Sequence, residues 1–272
     1  MAFRKIALLC AVAAFTLTAA AGSSIAADAS SPFIPQVGQA GKDVVWVPTP
    51  QALVDRMLDM AGLSKADYLI DLGSGDGRTV ITAAKRGTRA HGIEYNPDMV
   101  ALAETAAKTE GVSGQATFAK ADIFQSDFSK ASVISMFLLT DLNLKLRPTL
   151  LNMKPGTRIV SNTFNMGDWT PDDTINAGGD CISWCTAYKW IIPAKVGGDW
   201  KMGDGQLKLT QTYQMLNGTM VAGGQQIAVT NTKLNGADIA FTAGGKNYTG
   251  KVDGNTIKGT IDGGGSWSAT RS

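Results

Sequence analysis

Three carboxylates, Asp71, Glu94 and Asp122, and three alternating glycines, Gly73, Gly75 and Gly77, are the residues whose types and spacing could hold a nucleotide-type ligand. The glycines follow a short apolar run, 68–72, patterned like a buried parallel strand. A helix-period stretch succeeds them, with Val80, Ile81, Ala83 and Ala84 placed to pack back on a sheet. Glycine lets the chain turn tightly and lets a ligand approach the backbone without meeting a Cβ. Counting decides which nucleotide is excluded. The dinucleotide fingerprint G-x-G-x-x-G needs a glycine where Arg78 stands, and a Walker loop needs a G-K-[ST] that does not follow. With no pyrophosphate to seat on the helix N-terminus, Asp76 inside the loop opposes nothing.

Each of the three acids ends an apolar run. His91-Gly92-Ile93-Glu94 reads as a second strand, and Glu94 lies 17 residues beyond Gly77, near the spacing of about 20 for an acid that accepts from ribose hydroxyls. Pro97 stops that strand and suits a first helical position. Phe118 to Phe124 gives a third strand-and-acid signal at Asp122. The pattern D-x-G-x-G-x-G from Asp71 resembles the first motif of class I S-adenosylmethionine-dependent methyltransferases. That resemblance implies S-adenosyl-L-methionine as cofactor. It places Asp71, Gly73, Ser74, Gly75 and Gly77 at the methionine end, Glu94 at the ribose, and Asp122 with Ile123 at the adenine.

Flanking segments narrow the likeness. Val47-Pro48-Thr49-Pro50 precedes a helix-like stretch from Gln51 to Gly62, and 132–138 reads as a fourth strand. Gly156-Thr157-Arg158-Ile159-Val160-Ser161 reads as turn and fifth strand, closed by Phe164 to Trp169. Over residues 44–172 the series is similar to the mitochondrial-type protein-lysine methyltransferases that modify the ATP synthase c-subunit and the adenine nucleotide translocase, with their bacterial relatives. The resemblance implies a protein lysine as acceptor. Thr49 is assigned to the cofactor carboxylate as a hydroxyl donor, and Thr140, Asn143 and Trp169 are the acceptor-side candidates. An amino-adenine or amino-cytosine methylase would show [DNS]-P-P-[YFW] after the fourth strand, where this chain reads Leu138-Leu139-Thr140-Asp141-Leu142-Asn143.

Charge agrees with that exclusion. The chain is formally +2, and beyond residue 26 it balances at 23 basic and 23 acidic groups, without the clustered basic footprint of a phosphate-binding surface. Arg4 and Lys5, an apolar core from Ile6 to Ala21, and Ser24-Ile25-Ala26 have the plan of a secretory signal peptide over residues 1–26. The core is shorter than the roughly 20 residues of a spanning helix, so no membrane span is expected after cleavage, an uncleaved anchor being the alternative. Residues 27–43 read as a flexible lead-in that adds no chemistry. Export leaves the supply of cofactor open, because S-adenosylmethionine is made in the cytosol and its charge keeps it from crossing membranes. With Cys10 in the leader, Cys181 and Cys185 remain, able to form a local disulfide across a turn containing Ser183 and Trp184, or to stay as thiols. His91 is the single histidine and reads as structural. No metal site is expected.

From about Ile191 the composition changes. Gly197-Gly198, Asn217-Gly218, Gly223-Gly224, Asn235-Gly236, Gly244-Gly245, Asp253-Gly254 and Asp262-Gly263 punctuate short alternating runs, which predicts hairpins of an antiparallel sandwich or small barrel plugged by Trp200 and Trp267. The expected architecture is a Rossmann-like α/β methyltransferase domain over 44–192 and an all-β domain over 193–272. The first is short for seven strands, which predicts five parallel strands and a final hairpin that is shortened or supplied by Tyr188 to Ile192 and the residues beyond. The β-domain would then pack on the sheet edge or cover the substrate cleft. The leading function is methylation of protein lysine. The alternatives are a small-molecule N- or O-methyltransferase and an exported, non-catalytic binding module on the same fold.

Overall fold

The computed structural model describes Met1 and residues 33–179 and 181–272. The leader expected over residues 1–26 lies outside the described residues, Met1 apart. Residues 33–272 form one compact unit with two kinds of sheet. The first sheet is built from β1 (Tyr68–Leu72), β2 (Arg89–Glu94), β3 (Ala116–Lys120), β4 (Val133–Met136), β5 (Arg158–Asn162), β6 (Asp173–Asn176) and β7 (Thr186–Ile191). Its order is β3-β2-β1-β4-β5-β7-β6. The first five strands run parallel, and β7 lies antiparallel to both β5 and β6.

The five expected parallel strands are present, and the final hairpin is β6 with β7, the latter including Tyr188 to Ile191. Seven strands fit in so short a stretch because two crossovers carry no helix. The chain passes from β3 to β4 and from β5 to β6 by loops, while α1 (Gln51–Met60), α2 (Arg78–Lys85), α3 (Pro97–Thr109) and α4 (Thr140–Leu150) are the helices of the unit. Leu53, Val54, Met57 and Leu58 of α1 pack with Val80 and Ala83 of α2 on one face of the sheet. On the other face Leu146 and Leu150 of α4 join Trp169 and Trp190. Trp169, in the helix-free β5–β6 crossover, is fully buried and fills space a helix would otherwise occupy. α3 starts as its sequence dictates: Pro97 opens it, and Asn96 Oδ1 accepts from the Asp98 and Met99 amides at 2.9 and 3.4 Å.

The C-terminal sheet is a closed barrel of β8 (Gly198–Met202), β9 (Gly205–Thr212), β10 (Met215–Ala222), β11 (Gln225–Asn235), β12 (Asp238–Ala243), β13 (Lys246–Asp253), β14 (Thr256–Ile261) and β15 (Gly265–Arg271). Every neighbouring pair is antiparallel, and β9–β10 pairing closes the ring. Trp200 and Trp267 are buried in its core, their indole N–H groups donating to Val196 O and Thr249 O at 2.8 and 2.9 Å. One expected turn is corrected. Asn217-Gly218 lies inside β10, not at a hairpin, because Gly218 faces the Lys208 carbonyl oxygen, which would stand 2.3 Å from a Cβ there. The turn between β9 and β10 is instead Tyr213-Gln214.

That turn joins the two sheets. Tyr213 stacks on Trp169 with ring centroids 5.5 Å apart, and the Trp169 indole donates to Gln214 Oε1 at 2.8 Å. The barrel therefore covers the α4 face beside Trp169, and none of the residues lining the cleft at the carboxyl ends of the parallel strands belongs to it. The possibility that it roofs the cleft is thereby closed.

Candidate active site

Parallel strands β1 and β4 are neighbours although the chain visits β2 and β3 between them, so the connections diverge at their carboxyl ends and leave a crevice. A cleft of about 1040 Å³, counting its open mouth, occupies that crevice. Asp71, Gly73, Ser74, Gly75, Glu94, Asp122, Ile123 and Thr49 all line it. Gly77 stands just behind, capping α2 with φ 80°.

The loop requires its glycines. Gly75 has φ 52°, and a Cβ there would lie 2.6 Å from the Trp46 indole nitrogen. At Gly77 a Cβ would lie 2.7 Å from both Ala103 Cβ and the Phe118 ring. Below the loop, Gly73 N and Ser74 N both donate to Ile93 O at 2.9 and 3.1 Å, which ties the first turn to β2. Glu94 fastens the other side: its Oε2 accepts from Gly75 N and its Oε1 from Asn96 N, each at 2.9 Å. Both carboxylate oxygens are thus held in plane with lone pairs remaining for ligand hydroxyls.

Asp71 is the buried acid of the group. Burial pushes its pKa from 3.8 up to about 7, with the Ser135 hydroxyl, donating to its Oδ1 at 2.7 Å, opposing the rise and the charges of Glu94 and Asp76 adding to it. Asp76 is neutralised in place by Arg78, whose Nη2 lies 2.6 Å away. The same guanidinium donates from Nη1 to Thr49 O at 2.9 Å, so it pins the Val47–Pro50 segment to the glycine loop. Thr49 Oγ1 accepts from Asn162 Nδ2 at 3.2 Å, leaving its own O–H to donate elsewhere. Thr163 Oγ1 donates to Asn162 Oδ1 at 2.8 Å and fixes that amide's orientation.

At the opposite end Asp122 Oδ2 meets Lys42 Nζ at 2.6 Å, and the hydrogen bond from Lys42 holds the Asp122 carboxyl below its usual range. Lys42 Nζ also stands 5.2 Å from the Tyr95 ring centroid. Residues 27–43 were expected to add no chemistry. The described part corrects this, since Gln39, Lys42 and Asp43 line the cleft, and Gly38 N–Trp46 O and Trp46 N–Gln39 O hydrogen bonds of 2.8 and 2.9 Å fold the segment over it. Sequence reading passed over Trp46, Lys42 and Arg78. The tryptophan one residue ahead of Val47-Pro48-Thr49-Pro50 was a signal that could have been used.

The acceptor-side candidates fare differently. Trp169 is a core residue, packed on Trp190 and Tyr213, and does not reach the cleft. Asn143 is fully buried in α4, donating from Nδ2 to Phe164 O and Asn165 O at 3.0 and 3.1 Å, and so shapes the loop after β5 rather than facing an acceptor. Thr140 opens α4 and is absent from the cleft lining, which Phe137, Leu138 and Leu142 provide instead. Cys181 and Cys185 are disulfide-bonded with Cα atoms 5.8 Å apart, in the turn of the β6–β7 hairpin. His91 Nδ1 lies 2.8 Å from Thr117 Oγ1, and burial lowers its pKa.

A glycine cradle that admits no Cβ, a carboxylate fixed by two amides at the tip of β2, a buried acid and a Thr49 hydroxyl with its proton available together fit S-adenosylmethionine. This fold and site define a class I S-adenosylmethionine-dependent methyltransferase. A family model described as the ANTKMT methyltransferase domain matches residues 71–173. The chain is 44% identical over 152 residues to a protein-lysine N-methyltransferase of Saccharolobus islandicus (strain REY15A), a match that covers 55% of this chain and 94% of that protein. It is 33% identical over 138 residues to the ATP synthase C-subunit lysine N-methyltransferase of Homo sapiens, covering 50% of this chain and 59% of the human one, somewhat under two thirds of that relative. A solved structure described as an RNA methyltransferase from Salinibacter ruber, in complex with S-adenosyl-L-homocysteine, shares 45% identity and a TM-score of 0.52 over 55% of this chain and 96% of that one. The chain belongs to the ANTKMT-type methyltransferase family.

Proposed function

We propose that this enzyme methylates the ε-amine of lysine in proteins of the cell envelope. The single observation that carries the acceptor is the 44% identity to an archaeal protein-lysine N-methyltransferase along nearly the whole of that protein. The electrostatics support it. Asp43, Asp71, Asp76, Glu94 and Asp122 outnumber Lys42 and Arg78 along the cleft, a surplus of three acids once Asp76 pairs with Arg78 and Asp122 with Lys42. That surplus favours a cationic acceptor over a phosphate backbone. The compartment is supported by the leader plan of residues 1–26 and by the Cys181–Cys185 disulfide. The mass of the chain recovered from a cell-envelope fraction tests it, cleavage after Ala26 being the expected result and an intact cytosolic chain the contrary one.

When bound, S-adenosylmethionine supplies an electrophilic methyl on a sulfonium whose leaving group is a neutral thioether. The chain's own work is alignment and desolvation. Glu94, held by two backbone amides, would orient the ribose, and Asp71 with Thr49 would receive the ammonium and carboxylate of the methionine end. Holding two reactants in line contributes about 7–11 kcal/mol in favourable cases. Leu138 and Leu142 give the cleft an apolar patch, which lowers the pKa of an ammonium that reaches it so that it reacts as the neutral amine. The proton it gives up passes to solvent.

Purified enzyme with methyl-tritiated S-adenosylmethionine, offered envelope protein and total RNA in separate reactions, tests the proposal. The expected result is label in protein that hydrolyses to methyl-lysine. Label confined to RNA or to small metabolites overturns it.

A further inference from the structure

The β6–β7 hairpin brings an indole into contact with a ring that lines the cleft. Because β7 runs antiparallel to β5, the hairpin tip lies at the carboxyl edge of the sheet, beside the ends of β4 and β5. The disulfide closes that tip, and Trp184 sits within the closed ring at φ 56°, a backbone conformation few residues other than glycine adopt. Its side chain is 41% exposed. The indole meets Phe137 edge-on at 5.8 Å and Phe164 at 5.7 Å, and Phe137 and Phe164 stack at 6.0 Å. Phe137 lines the cleft. The three rings therefore form a continuous aromatic wall running from the cleft interior out to an exposed indole.

Two other aromatic rings beside the cleft already carry a cation, Lys42 standing over Tyr95 and Lys145 lying 3.8 Å from the Phe124 centroid, while Trp46 packs against the glycine loop at Gly75. No lysine or arginine of the described residues stands over Phe137, Phe164 or Trp184. The rings are electron-rich, and Phe137 and Phe164 are half-buried while Trp184 is exposed.

We propose that Phe137, Phe164 and Trp184 seat the accepting lysine side chain, its methylenes along the rings and its ammonium held by their π faces, with the Cys181–Cys185 disulfide keeping Trp184 in place. The inference rests on the lysine reading above and names the residues that recognise that side chain. Cation–π contacts of this kind contribute about 0.5–2 kcal/mol, which is a change of up to roughly thirtyfold in affinity. A methylated ammonium, larger and less hydrated, gains most from such a wall.

The test is calorimetric binding of Nα-acetyl-Nε-trimethyllysine amide to the full chain saturated with S-adenosylhomocysteine. Trp184→Ala is expected to weaken it about tenfold, Trp184→Phe by threefold or less, and the Cys181→Ser, Cys185→Ser double variant about fivefold. S-adenosylhomocysteine affinity stays unchanged in all three, which also shows that they fold. The neutral Nα-acetyl-norleucine amide is expected to bind at least tenfold more weakly than the trimethylated probe. No binding of the probe to the wild type, equal binding of the neutral analogue, or Trp184→Ala within twofold of the wild type overturns the inference. Failure of the lysine reading itself shows separately, as label in RNA or metabolites in the transfer reaction.

Discussion

The barrel and the cleft are built from one chain on opposite policies. Every buried polar or charged residue of the described chain, from Thr49 to Asn162, belongs to the α/β unit, and the barrel buries none. The two buried side-chain atoms without a hydrogen-bond partner, Ser74 Oγ and Asn143 Oδ1, also lie in the α/β unit. Inside the barrel, Leu207, Phe241, Ile257 and the two tryptophans alternate with exposed polar residues along each strand, so burial of apolar area does nearly all the stabilising. Around the cleft the chain accepts a buried acid, Asp71, and an unpaired buried hydroxyl, Ser74, each of which costs stability. Such costs persist where they position chemistry. The difference separates a region that is stable for its own sake from one that is arranged for a ligand.

That contrast can be broken by substitutions on either side. The largest effect is expected in the barrel: Trp200→Ala removes a fully buried side chain and should cost about 4 kcal/mol in denaturant unfolding. S-adenosylhomocysteine affinity of the folded protein should stay within twofold, and its collapse would mean the barrel helps shape the cleft. Next comes Gly77→Ala, which forces a Cβ into Ala103 and Phe118 at φ 80° and should cost about 3 kcal/mol, together with ligand binding. Glu94→Ala leaves the Gly75 and Asn96 amides without their acceptor. It should weaken S-adenosylhomocysteine by about 2–3 kcal/mol, roughly 30- to 150-fold, with the circular dichroism spectrum retained.

The smallest effect on ligand affinity is a pH dependence. The Asp71 pKa is raised from 3.8 to about 7 on folding. The folded state therefore keeps a proton that the unfolded state loses, and this group's contribution to stability falls as pH rises from about 4 to about 7, then levels. Ligand binding has the opposite sign, because the amino-acid ammonium pairs with the ionised form. Affinity for S-adenosylhomocysteine should rise about tenfold between pH 6 and pH 8, and Asp71→Asn should flatten the profile.

Much of this was legible in the sequence because both regions obey short-range rules. Alternating glycines after an apolar run and acids at successive strand ends placed Asp71, Glu94 and Asp122 on one cleft, and Gly-rich turns with period-two apolar residues marked the β-domain. What escaped were features decided by distant packing. Trp169 reads like a loop tryptophan until the helix-free β5–β6 crossover leaves it to fill the core against Tyr213, forty-four positions further on. Asn217-Gly218 has hairpin chemistry but is in strand β10, its glycine demanded by a neighbouring carbonyl rather than by a turn. Residues 38–46 carry no apolar period, so nothing local showed that Lys42 and Trp46 fold across the ligand's path. That the final hairpin is complete, β6 with β7, escaped for a related reason: the chain has room for it only because two crossovers carry no helix.

Hydrogen exchange of the full chain with and without S-adenosylhomocysteine tests the central claim most directly, because it reports every segment at once. The account predicts slowed exchange at Gly73–Gly77, at Glu94–Met99, at Asp122–Phe124 and in the Gln39–Trp46 strap, with residues 198–271 of the barrel unchanged. Protection that falls on the barrel, or no protection at millimolar ligand, would contradict it.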